Sequence, residues 1–154
     1  MKMNVNFINN GLDELDRCIL SRGMNFSRKR MEVARRFLGS KRHYTVEQLY
    51  AEMKSSGFDI GYSTVYRTLR LLSECGLATA HHFGDNEMRY EPAGRGRHHD
   101  HLVCRECGRI IEFTHSGIER FQEEIASEHD FRVTDHELQI YGICSNCRGK
   151  DKGR

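Results

Sequence analysis

Ser63-Thr64-Val65-Tyr66-Arg67-Thr68-Leu69-Arg70-Leu71-Leu72-Ser73-Glu74 carries Val65, Leu69 and Leu72 at helical spacing, with Tyr66, Arg67 and Arg70 on the opposite side. Ser63 can cap this helix and Gly76 can end it. A helix that hides an aliphatic stripe and shows Tyr and Arg is equipped for the major groove of duplex DNA. Arg can take guanine O6 and N7 in a bidentate bond, and Tyr can pack on thymine methyls or bond phosphate. The competing reading is an ordinary amphipathic helix with an arginine-rich wet side, and the flanking sequence decides between the two.

Upstream, three further helices are punctuated clearly. Leu12 to Arg22 has Leu12, Leu15 and Ile19 at helical spacing and stops at Gly23. Ser27 caps Arg28 to Leu38, with Met31, Ala34 and Leu38 inward and Gly39 at the end. Thr45-Val46-Glu47-Gln48 is a capping box opening a helix with Val46, Leu49 and Met53 inward, closed by Gly57. Downstream, Leu77 to Phe83 and Glu87 to Glu91 flank Gly84-Asp85-Asn86, which predicts a β-hairpin. Helices followed by a small hairpin describe a winged helix-turn-helix over residues 1–91. His81 and His82, which open the wing, read as surface or DNA-facing, with metal contact as the lesser alternative.

Charge supports the groove reading. The 154-residue chain has a net charge of only +2, with 38% hydrophobic and 30% charged residues, enough for one ordinary domain or two small ones. Yet Arg17 to Leu72 holds twelve lysines and arginines against four acids, a balance of +8. Glu112 to Gln139 holds eight acids against two arginines, a balance of −6. The basic half is expected to meet a polyanion. No apolar run approaches the ~20 residues that span a bilayer, and the Asn-rich N-terminus lacks the apolar stretch of a signal peptide. A cytoplasmic location is expected, where thiols stay reduced and paired cysteines favour metal over disulfide. Cys18 and Cys75 then read as small helix residues.

Pro92-Ala93-Gly94-Arg95-Gly96-Arg97 contains the only proline and two glycines, and reads as a hinge at 92–97. Residues 98–154 form a second unit, a small α/β fold. It has strands at His101 to Cys104 and Arg109 to Phe113, then a helix at Ser116 to Glu128 with Ile118, Phe121 and Ile125 inward. Phe131 to Ile143 is a further extended segment. The overall class expected is α+β.

Metal donors dominate this second unit. Cys104/Cys107 and Cys144/Cys147 are two C-x-x-C knuckles separated by 36 residues, the pattern of a four-thiolate zinc site. His98-His99-Asp100-His101 lies just upstream. On extended chain, His98 and Asp100 point one way while His99 and His101 point the other, so one tetrapeptide can serve two sites. Imidazole with carboxylate suits Fe(II), Mn(II), Co(II) or Zn(II). His115 and His129 read as solvated helix-end residues.

Gly61-Tyr62-Ser63-Thr64-Val65-Tyr66-Arg67, His98 through Gly108, Ile111-Glu112-Phe113 and Tyr141 through Cys147 together resemble the ferric uptake regulator family across residues 12–148. The resemblance implies homodimeric, metal-dependent repressors with a winged-helix domain, a hinge and an α/β dimerisation domain. It implies a structural zinc at Cys104, Cys107, Cys144 and Cys147. A regulatory metal site would comprise His43, Glu91, His99, His101 and, as a possible fifth ligand, Glu112. An additional metal site would use His98, Asp100, Glu119 and His136; for His136, a buried structural histidine is the rival reading. One ion tied to both halves would fix their relative angle and link metal affinity to the DNA-competent conformation. The DNA-binding residues expected are Ser63, Thr64, Tyr66, Arg67, Arg70 and Arg30, on an AT-rich palindromic operator.

Related peroxide sensors tend to place aspartates at key regulatory positions, and related zinc sensors a cysteine. Glu91 and Glu112 here lean towards Fe(II) and control of iron uptake genes, with Mn(II), Zn(II) or peroxide sensing as alternatives. A metallohydrolase is the main reading of another class. It lacks a positioned general base and leaves the N-terminal half without a task. A zinc-ribbon interaction module without DNA binding is a third.

Overall fold

The computed structural model describes residues 5–83, 87–94 and 99–149, and the chain divides into two compact units, Met1–Arg95 and Gly96–Arg154. The hairpin turn Gly84-Asp85-Asn86, the hinge residues Arg95 to Arg97 and His98 lie outside the described residues.

In the first unit the apolar stripes become α1 (Val5–Ser21), α2 (Arg28–Gly39), α3 (Val46–Ser55) and α4 (Tyr62–Glu74), followed by the strands β1 (Ala78–His82) and β2 (Met88–Pro92). α1 starts well before the expected Leu12, because Ile8 and Gly11 extend its buried stripe into the Asn-rich segment. Gly11 lies where α1 approaches α2: a Cβ there would stand 2.8 Å from Leu38 Cδ1. The Ser27 hydroxyl accepts from the Arg30 amide at 3.4 Å at the start of α2. The capping box of α3 is complete, with the Gln48 amide donating to Thr45 Oγ1 at 3.2 Å and the Thr45 amide to Gln48 Oε1 at 3.1 Å. Val46, Leu49 and Met53 are buried as their spacing predicts.

α4 departs from expectation at its start. It begins at Tyr62, with Gly61 as its cap and no side-chain cap bond, so Ser63 lies inside the first turn. A tertiary contact moves the boundary: the Tyr62 hydroxyl donates to the Glu47 carboxylate, and its ring meets Tyr50 edge-on at 5.7 Å. Val65, Leu69 and Leu72 join Leu15, Ile19, Phe37, Leu49 and Met53 in one core. Full burial of each such side chain stabilises the fold by about 1.5–3 kcal/mol. β1 and β2 pair antiparallel, Ala80 opposite Tyr90. Tyr44, also buried, exchanges backbone hydrogen bonds with Tyr90 at 2.8 and 2.9 Å, so the segment before α3 adds a bridge to the wing.

The second unit is a three-stranded sheet in the order β4-β3-β5, made of β3 (Asp100–Cys104), β4 (Ile110–Phe113) and β5 (Gln139–Gly142), with α5 (Ser116–Glu128) and the short α6 (Ser145–Arg148). β4 runs antiparallel to β3 and β5 parallel to it. Two expectations need correction. Only Gln139–Gly142 of the segment from Phe131 to Ile143 forms a strand of the sheet. Among the described residues, 131–138 belong to no strand, although the Leu138 carbonyl accepts from the His101 amide at 3.1 Å. And α5 buries none of its residues: Phe121 and Ile125 are 56% and 58% exposed, and Ile118 is half-buried. Three short strands and one full helix are too little material to enclose an apolar face, and Leu102, Ile111, Ile140 and Ile143 are also exposed.

Candidate metal centres and a DNA-facing helix

The four-cysteine cluster follows from the parallel pairing of β3 and β5. Cys104 ends β3, and the tight turn after it puts Cys107 beside it, with the Gly108 amide bonded to the Cys104 carbonyl at 2.9 Å. Gly108 has φ 67°, a left-handed conformation that glycine accommodates without strain. β5 leads into Cys144, the cap of α6, and Cys147 lies within that helix. The four sulfurs lie within 4.8 Å of one another, and Cys107 and Cys144 Sγ are 3.7 Å apart. Tetrahedral Zn–S bonds of ~2.3 Å require sulfur separations of about 3.8 Å. The donor set therefore fits zinc.

The thiols are already unequal. The Cys144 amide, donating to Cys104 Sγ at 3.3 Å, and then the Cys107 amide pull the Cys104 thiol down to about 6. Hydrogen bonds shared with Cys107 and Cys144 push Cys147 up to about 12. A dication binds thiolates, so filling this site releases the protons the four sulfurs still hold.

A second donor group forms in the wing. Because Tyr44 bridges Tyr90, the neighbouring His43 and Glu91 meet, Nε2 to Oε2 at 3.2 Å. The other carboxylate oxygen of Glu91 lies 2.8 Å from His81 Nε2. His81 was expected at the surface; it is buried instead, stacked on Phe83 at 5.4 Å, with its ring 5.9 Å from His43. Hairpin register explains this. His81 lies opposite Arg89, which puts Glu91 two residues along on the same face, a diagonal neighbour. The two strand stretches alone do not fix that register; their pairing does. His82 is exposed.

In the second unit, His99 and His101 stand with ring centroids 4.9 Å apart, and His101 is buried. Glu112 lies directly across from His101 on β4. Asp100, fully buried, joins Glu119 of α5 and His136, with donor atoms within 4.8 Å and Glu119 3.4 Å from His136. His136 is half-buried and faces a carboxylate. Mixed nitrogen and oxygen donors of this kind fit borderline dications.

A winged-helix unit, a thiolate cluster and two imidazole–carboxylate groups now stand together on one chain, and residues 21–141 match the ferric uptake regulator family. The chain belongs to that family. It is 40% identical over 141 residues to the ferric uptake regulation protein of Campylobacter jejuni, an alignment covering 90% of this chain and 89% of that protein. The Helicobacter pylori ferric uptake regulator, whose structure is described as revealing three functional metal-binding sites, is 28% identical, with a TM-score of 0.85 over 96% of this chain and 97% of that one. The Francisella tularensis regulator, solved with iron, is 31% identical, with a TM-score of 0.74 over 82% and 96%. As a family member the chain is a metal-responsive transcriptional regulator, and the family comprises regulators rather than enzymes.

α4 is the helix whose exposed residues are expected to face DNA. Tyr66, Arg67, Arg70 and Ser63 are exposed and Thr64 is half-buried. Arg70 is steered along the helix by Glu74 at 2.9 Å. Arg30 on α2 is half-buried and directs one N–H to the Asn25 carbonyl at 3.1 Å.

Proposed function

We propose that this regulator is an Fe(II)-dependent repressor of iron uptake genes, acting in the cytoplasm as a homodimer on an AT-rich palindromic operator. Zn(II) belongs to Cys104, Cys107, Cys144 and Cys147. The regulatory ion belongs to His43 and Glu91 of the first unit with His99, His101 and Glu112 of the second. His98, Asp100, Glu119 and His136 form the additional site. Residues 1–91 bind DNA, 92–97 act as the hinge, and 98–154 pair two chains.

The observation that carries this reading is the Glu91 carboxylate at the end of the wing, one oxygen on His43 and the other on His81. A ligand pair is thus preassembled inside the DNA-binding unit, while His99 and His101 are paired inside the other. An ion held by both sets supplies a charge that ligates the two units at once, so its affinity and the DNA-competent arrangement are linked. Tyr66 and Arg67 read base edges, and Arg30, Arg70, Ser63 and Thr64 hold phosphate. The exposed Phe121, Ile125, Leu102 and Ile111 supply an apolar face for a second copy. The absence of sulfur from the regulatory set and the choice of glutamates favour Fe(II). Zn(II) would bind such donors more tightly at equal concentration, so free metal levels select the ion in the cell, with Mn(II) as the second candidate.

The test is anaerobic fluorescence anisotropy with an AT-rich palindromic duplex. Protein is cleared of labile metal but keeps its structural zinc, and Fe(II) is titrated in. A tenfold or greater gain in affinity, about 1.4 kcal/mol of coupling, is expected. A response to Mn(II) or Zn(II) alone would replace the ion, and indifference to all three would overturn the metal-gated reading.

A further inference from the structure

Two cysteines stand outside every metal-donor group. Cys18 lies in the last turn of α1, and Cys75 caps the C-terminal end of α4. Both are half-buried, and a disulfide joins them across 57 residues with Cα atoms 6.2 Å apart. Their pairing overturns the reading of both as small helix residues. The same helix ends are tied a second time by Arg22, which donates to the Glu74 carboxylate at 2.6 Å and to the Glu74 carbonyl at 3.0 Å. Glu74 also holds Arg70. One junction thus connects the N-terminal helix to the helix that presents Tyr66, Arg67 and Arg70.

We propose that Cys18 and Cys75 are a reversible redox-modification site, a latch between α1 and α4 that hydroperoxides close and small dithiols open. In closing, one thiolate attacks the O–O bond of the hydroperoxide and becomes a sulfenic acid, releasing an alcohol, or water from hydrogen peroxide. The second thiol then displaces the sulfenic hydroxyl, which leaves as water while the S–S bond forms. Two thiols and one hydroperoxide thus give one disulfide, one alcohol and one water. In opening, one thiolate of a dithiol attacks one sulfur and releases the other cysteine. Its second thiolate then attacks the mixed disulfide and releases the first cysteine, leaving the reductant as its own disulfide.

Position sets the speed and the effect. Both sulfurs sit at C-terminal helix ends, whose partial negative charge opposes thiolate formation. The latch therefore closes under sustained oxidant rather than on first exposure. Its effect is on stability, because closing a loop of 57 residues restricts the unfolded chain. Between the melting temperatures of the open and closed forms, only the closed form keeps α4 seated. DNA binding then survives oxidation and is lost on reduction. This last consequence rests on the reading of α4 as the DNA-facing helix; the covalent and thermal parts do not.

The experiment uses the full chain with its zinc. Protein is reduced, desalted anaerobically, exposed to excess hydrogen peroxide, blocked with N-ethylmaleimide and digested for mass spectrometry. Melting is followed in parallel, before and after oxidation. A Cys18–Cys75 linked peptide is expected, with zinc content unchanged. The melting temperature should rise by roughly 10 °C or more and return on treatment with dithiothreitol. Cys18→Ser should melt like the reduced wild type and ignore peroxide. Labelling of both cysteines after oxidation, their linkage to the zinc-site cysteines instead, or a linked peptide without a thermal shift would each overturn the latch. If the shift occurs but neither form, once loaded anaerobically with Fe(II), binds duplex, the DNA reading of α4 fails and the latch stands.

Discussion

Single residues set the chemistry of this regulator, and His81 shows how much one can carry. Its imidazole holds the Glu91 oxygen that His43 does not, so it orients the carboxylate proposed as a regulatory-metal ligand. Partners of this kind typically contribute 10- to 100-fold in metal affinity. His81→Ala should raise the Fe(II) concentration needed for half-maximal duplex binding by about tenfold while leaving zinc content and the fold intact. An unchanged midpoint would make His81 only a packing residue against Phe83. Glu52 has a purely structural role. Burial alone would raise its carboxyl, but the Tyr44 hydroxyl at 2.8 Å and the Arg36 and Arg42 guanidiniums outweigh burial and hold it below its ordinary value of 4.5. A carboxyl depressed in the folded state contributes stability above its unfolded pKa and loses it as pH falls through the folded one. Glu52→Gln should therefore cost about 1 kcal/mol at pH 7. The gap from wild type should close progressively below pH 4.5; denaturant melts at both pH values check this.

At the scale of elements, local signals were legible wherever they were self-contained. Thr45 and Gln48 satisfy each other within four residues, and the apolar spacing of α3 has a single solution, so sequence and structure agree there. Boundaries moved where a distant partner intervened. Tyr62 is drawn into α4 by Glu47 and Tyr50, and α1 runs back to Val5 because Ile8 and Gly11 have α2 to pack on. Gly11→Ala tests the latter. The added methyl would press on Leu38, and overpacking of this kind costs about 1–3 kcal/mol. That loss outweighs the roughly 1 kcal/mol that alanine gains in helix propensity, so a lower melting temperature is expected. A higher one would mean that Leu38 gives way freely.

At the scale of the molecule, the two units are stabilised by different means. The first has a core of twenty buried residues from four helices and the wing. The second buries only Asp100, His101, Val103 and Cys104 among its described residues, and leaves α5 apolar on the outside. Zinc and a second copy are the proposed sources of its order. Removing zinc with a strong chelator should abolish the cooperative melt of residues 98–154 and, with it, dimerisation, while circular dichroism retains the helical signal of the first unit. Ile125→Glu should instead give a zinc-loaded monomer by sedimentation, and a persistent dimer would place the pairing face elsewhere.

Residue spacing by itself determined most of the elements and the α+β class, because capping, helical periodicity and the C-x-x-C pairs are encoded within a few neighbouring positions. The motif stretches from Gly61 to Cys147 carried the family resemblance. Spacing also grouped the four cysteines, since two knuckles of that type have one common use. Only the tertiary structure brought His81 onto Glu91, joined Cys18 to Cys75 and turned the hydrophobic side of α5 outward. The physical reason is the same in all three: each depends on strand register or on helix ends packed far apart in sequence, and no local pattern records which surface a chain has left to bury.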